Sequence, residues 1–119
     1  MKKNFFPLIF MLAPLSVFAG EVVVVDASAS ATATGIYRFD VTLKHADSGW
    51  DHYADGWEVM TPNGEILGRR TLYHPHINEQ PFTRSLSGIA IPAGVDQVEI
   101  RAHDKVHGYG PQTYRIDLR

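Results

Sequence analysis

Ile36-Tyr37-Arg38-Phe39-Asp40-Val41-Thr42-Leu43-Lys44 sets Tyr37, Phe39, Val41 and Leu43 at every second position against Arg38, Asp40, Thr42 and Lys44. Successive side chains of an extended chain point to opposite faces, so this period of two predicts a β-strand with one buried and one wet face. The same period recurs on either side of it, and no helix-period stripe competes. Gln97 to His103 alternates Val98, Ile100 and Ala102 with Gln97, Glu99 and Arg101. Gln112 to Leu118 does so with Tyr114, Ile116 and Leu118. Trp57 to Met60 and Glu65 to Tyr73 flank Thr61-Pro62-Asn63-Gly64, whose Pro and Asn-Gly suit a tight turn, which predicts a β-hairpin. Glu21 to Asp26 and Ser85 to Ile91 read as further strands. Ala27 to Thr34, a run of Ala, Ser and Thr, reads either as a flexible connection or as a flat strand packed closely on a neighbour.

About seven short strands, with turn signals every 8 to 12 residues or so, predict an all-β fold. We expect a single antiparallel β-sandwich of immunoglobulin or fibronectin III shape, with a small barrel as the alternative. Ahead of it, Lys2 and Lys3, an apolar run from Phe5 to Leu15 and Val17-Phe18-Ala19 have the form of a signal peptide cleaved after Ala19. The expected organisation is therefore a signal peptide over 1–19 and a β-sandwich domain over 20–119. The apolar run carries Pro7 and Pro14 and is shorter than the roughly 20 residues of a spanning helix, so no membrane span is expected after cleavage. The periplasm, or the external medium, is the expected compartment.

Loss of Lys2 and Lys3 takes the formal net charge from −2 to −4. This mild acidity argues against nucleic acid as a partner. With no cysteine, no disulfide can staple the domain, and the core must hold by packing. A monomer is expected.

The clearest chemical signal is six histidines, all between His45 and His107. Imidazole is the commonest metal ligand, and nitrogen and oxygen donors without thiolate suit Zn(II) or Cu(II). His74 and His76, in Tyr73-His74-Pro75-His76, are the first candidates, because Pro75 favours an extended backbone on which both rings project to one side. His103 and His107, around the last turn, come next. His45 and His52 follow, in a twelve-residue loop from His45 to Gly56. Asp47, Asp55, Glu79 or Asp104 would complete the ligand set. Without metal, each histidine would cap a strand end or bond a backbone carbonyl, and no cofactor would be needed. Asp47, Asp51 and Asp55 lack the order of a calcium-binding EF-hand and read as solvated turn acids.

A metal-free alternative is a protein interaction module of the bacterial envelope. It would present Trp50, Asp51, Glu79 and Arg84 to another envelope protein and show an apolar patch around Trp50, Tyr53 or Phe82. Arg84 is otherwise expected to pair internally with Asp51 or Asp55. Catalysis is not expected. The chain has no Gly-x-Ser-x-Gly elbow, no phosphate-cradling glycine loop and no cysteine nucleophile, and His103 and Asp104 should point to opposite faces of one strand.

His45-Ala46-Asp47-Ser48-Gly49-Trp50-Asp51-His52-Tyr53-Ala54-Asp55-Gly56-Trp57-Glu58-Val59, His74-Pro75-His76-Ile77-Asn78-Glu79-Gln80-Pro81-Phe82-Thr83-Arg84-Ser85-Leu86-Ser87-Gly88 and Val106-His107-Gly108-Tyr109-Gly110 together resemble a family of small exported bacterial proteins of uncharacterised function. The resemblance implies export and a single domain. It implies no activity and no catalytic residues.

Overall fold

The computed structural model describes residues 20–118, so the signal peptide expected over 1–19 lies outside the described residues. Eight strands follow in order: β1 (Val23–Ala33), β2 (Ile36–Lys44), β3 (Ala54–Met60), β4 (Ile66–Thr71), β5 (Phe82–Ala90), β6 (Gln97–Asp104), β7 (Gly108–Tyr109) and β8 (Tyr114–Asp117). One sheet has the order β1-β2-β5. The other has β4-β3-β6-β7, with β8 also paired to β6. Every pairing is antiparallel. The result is the expected sandwich of two antiparallel sheets, with eight strands where about seven were expected.

Period-two patterning accounts for the core. Phe39, Val41 and Leu43 of β2 and Val98, Ile100 and Ala102 of β6 are buried. They meet Trp57 and Val59 of β3 and Phe82 and Ile89 of β5 between the sheets. The Ala/Ser/Thr run is a strand, because β1 pairs with β2 from Val23 to Ala33 and so has a ladder to satisfy its backbone groups. The predicted hairpin is β3-β4, with Trp57 opposite Arg70 and Glu58 opposite Arg69. On the outer face of β3, buried Glu58 lies beneath Arg69, Arg101 and the Tyr109 hydroxyl.

Two elements depart from the sequence reading. β3 begins at Ala54, so the connection after β2 is residues 45–53 and not the longer loop expected. The last edge strand is broken into β7 and β8. β7 pairs with His103 and Asp104 and β8 with Gln97 to Ile100, and the chain bulges between them at Gly110 and Pro111. Gly110 is needed there, since a Cβ on it would stand 2.5 Å from the Val22 carbonyl oxygen. That close approach seats the segment before β1 against the second sheet.

Candidate metal centre

The inward series of two strands does not stop where the apolar residues stop. In β2 it runs Phe39, Val41, Leu43 and continues beyond the strand to His45 and Asp47. In β6 it runs Val98, Ile100, Ala102 and ends on Asp104. All of these are buried. Two consecutive inward positions after β2 and one at the end of β6 therefore bring an imidazole and two carboxylates into the same end of the sandwich.

His45 and Asp104 are joined there by His52, from the loop between β2 and β3. His45 Nε2 lies 3.2 Å from His52 Nε2 and 3.8 Å from Asp104 Oδ2. His52 Nε2 lies 3.4 Å from Asp104 Oδ1. The Gly20 carbonyl oxygen points into the same space, 3.0 Å from His45 Nε2 and 3.2 Å from His52 Nε2. The side chains of His45 and Asp104 are fully buried and that of His52 is 22% exposed, so the group opens to solvent on the His52 side. His107 stands at this opening, its Nδ1 3.3 Å from Asp104 Oδ1 and its ring centroid 5.0 Å from that of His52.

Protons are distributed by the neighbours. Asp47 Oδ1 lies 2.5 Å from His45 Nδ1, which places the Nδ1 proton toward the carboxylate and leaves the Nε2 lone pair facing the centre. A carboxylate behind a histidine in this way fixes the tautomer and ring orientation of metal-ligating imidazoles. Asp47 is itself fixed, accepting from the backbone N–H of Ala54 at 3.0 Å and of His76 at 2.7 Å. Asp104 Oδ1 accepts the backbone N–H groups of Val106 and His107 at 2.8 and 2.7 Å, while its buried Oδ2 has no hydrogen-bond partner among the described residues. Burial disfavours charge on Asp104. Those two N–H groups, with the nearby His45 and His107 imidazoles, outweigh it, and the carboxyl is held below the usual carboxylate range. The centre thus gathers two imidazole nitrogens, an ionised carboxylate and a carbonyl oxygen around one point.

The remaining candidates lie elsewhere. His74 and His76 do come together, with ring centroids 4.7 Å apart. His74 is exposed against the Pro75 carbonyl, and buried His76 stacks on Phe82 at 4.0 Å with neither ring nitrogen bonded. His103 points to the outer face, where its Nδ1 is 2.6 Å from Asp55 Oδ1, while Asp104 points inward as the alternation requires. Among the described residues, His45, His52 and Asp104 are the set whose ligand atoms converge closely enough for one ion.

The binding candidates also divide. Trp50 is 65% exposed, whereas Tyr53 and Phe82 are buried, so the apolar patch reduces to the Trp50 ring and its neighbours. Asp51 is exposed. Arg84 does not pin the loops through Asp51 or Asp55. It bonds Glu79 at 3.1 Å and the Thr83 carbonyl, because both lie within reach on its own segment. The loop carrying His76 is instead tied down by Gln80, which accepts from His45 N–H and donates to the His76 carbonyl.

The fold and this centre together define a small β-sandwich with a buried histidine-carboxylate group at one end. A protein of Halomicrobium mukohataei described as "Putative lipoprotein" is 45% identical to it over 97 residues, which are 82% of this chain and 47% of that protein. The chain spans about half the length of this curated relative. No protein-family model and no solved structure matches the chain.

Proposed function

We propose that this is an exported β-sandwich protein of the cell envelope that binds one Zn(II) or Cu(II) ion through His45, His52 and Asp104. The observation that carries this reading is the unpartnered, buried Asp104 Oδ2 beside two imidazole nitrogens. A buried ionised oxygen with no donor is costly, and a cation at the centre would satisfy it together with both Nε2 lone pairs. The spacing suits an ion. Two nitrogens each about 2.0 to 2.1 Å from a tetrahedral ion stand roughly 3.3 Å apart, and the two Nε2 atoms are 3.2 Å apart. Export is supported by the signal-like residues before Gly20 and by the lipoprotein description of the relative. Binding rather than catalysis is the role proposed.

The test is uptake of Zn(II) and Cu(II) by untagged protein starting at Gly20, measured by calorimetry and elemental analysis. One ion per chain is expected, with loss of binding in His45→Ala, His52→Ala and Asp104→Asn and retention in His74→Ala. Absence of stoichiometric uptake overturns the proposal. The exposed Trp50 ring favours a second, metal-free reading in which this loop docks an envelope protein partner; that reading stands if the ion is not taken up.

A further inference from the structure

Resting on that metal reading, we infer that cleavage after Ala19 completes the centre, because the α-amino group of Gly20 becomes a ligand of the same ion. Residue 20 already stands inside the ligand group. Its carbonyl oxygen is within 3.0 and 3.2 Å of the two Nε2 atoms. A Cβ at this position would lie 3.0 Å from His107 Cε1, 3.5 Å from His107 Nε2 and 3.7 Å from His52 Cε1. A side chain there would press on the His107 ring, which would have to give way by a few tenths of an ångström.

Before cleavage the nitrogen of Gly20 belongs to a peptide bond. Its lone pair is delocalised into the carbonyl and it carries a proton, so it offers nothing to a cation. Hydrolysis of the Ala19-Gly20 bond adds water across it and leaves a carboxylate on Ala19 and a primary amine on Gly20. Unlike the amide nitrogen, that amine has a lone pair of its own to offer once its proton is displaced by an ion. Amine nitrogen and carbonyl oxygen of one residue close a five-membered chelate ring. With His45, His52 and Asp104 this chelate makes three nitrogens and two oxygens, a donor set that suits Cu(II) especially. Removal of the leader would thus do two things at once, releasing the domain and switching on its affinity for the ion.

The experiment compares three proteins for Cu(II): one beginning at a free Gly20, one acetylated there, and one carrying a single added serine before Gly20. The free-amine protein should bind Cu(II) on the order of tenfold or more tighter than either blocked form, as loss of a supporting group does at other metal sites. Protein grown with nitrogen-15 glycine should show a directly coordinated nitrogen-15 coupling in pulsed EPR that both blocked forms lack. Equal affinities and no such coupling overturn the inference while leaving the His45-His52-Asp104 site standing. Failure of all three to bind overturns the site itself. N-terminal sequencing of the exported protein should begin at Gly20, and a different first residue would also end the inference.

Discussion

Asp47 shows how much one side chain can settle. Its two oxygens serve three donors, His45 Nδ1 and Ala54 N–H on Oδ1 and His76 N–H on Oδ2, and an amide has only one oxygen to offer. In Asp47→Asn either the amide NH2 faces the His76 N–H, or it faces His45 and forces that ring's proton onto Nε2, into the centre. We expect Cu(II) or Zn(II) affinity to fall about 10- to 100-fold, and stability by about 1 to 3 kcal/mol, read by calorimetry and thermal melts. His76 behaves in the opposite sense. Burial, then the positive Arg84 and His74, hold its pKa below the ordinary value, against the pull of Asp47 and Glu79. The unfolded chain therefore binds the proton more readily. The stability this histidine contributes is present above about pH 6.5 and is lost as the pH falls below it. His76→Phe keeps the stack on Phe82 and removes two unbonded buried nitrogens. It should gain about 1 kcal/mol at pH 7, a rise in Tm of roughly 4 to 8 °C. Its Tm should also fall less than the wild type's between pH 7 and pH 5, and a steeper fall would contradict the assignment.

At the scale of strands, the alternation in β2 and β6 both places the core and carries polar residues into it. His45, Asp47 and Asp104 were legible in principle as inward positions occupied by the wrong chemistry, since each lies two residues beyond a buried position. His74-Pro75-His76 is far more conspicuous in the sequence, yet spacing along a chain does not say which strand ends meet. The β7 strand was hidden because Gly108-Tyr109-Gly110-Pro111 has the composition of a turn. Only the pairing with His103 and Asp104 makes it extended. The same edge offers a test of how the N-terminal segment is held. In Gly110→Ala the new methyl group meets the Val22 carbonyl oxygen, which is backbone and cannot swing aside, unlike the Ile89 side-chain atom that a Cβ at Gly68 would meet. We expect a loss of about 1 to 3 kcal/mol. Weakened metal binding should accompany it, because Gly20 lies two residues ahead of Val22. Hydrogen exchange should show the loosening at β1 before it reaches β3, and uniform loosening would count against this account.

For the molecule as a whole, the centre is a knot among segments distant in sequence: Gly20, three residues ahead of β1, the end of β2, the loop after it and the end of β6. The centre holds a buried carboxylate oxygen without a hydrogen-bond donor among the described residues and two imidazole nitrogens 3.2 Å apart, so a cation there would gain ligands already gathered by the fold. A cation that binds the folded chain and not the unfolded one must raise stability by mass action, by about 2.7 kcal/mol when free ion stands at a hundred times its Kd. For a domain of this size that corresponds to a rise in Tm of roughly 10 to 20 °C. Calorimetric melts of the protein starting at Gly20 should show this shift with Cu(II) or Zn(II), reverse it with EDTA, and abolish it in Asp104→Asn. That variant should itself be less stable than the wild type without metal, since the folded chain holds this carboxyl below the usual range and so favours the charge that Asn removes. A Tm unmoved by the ions in the wild type, or moved equally in Asp104→Asn, would place any bound ion away from this end of the sandwich.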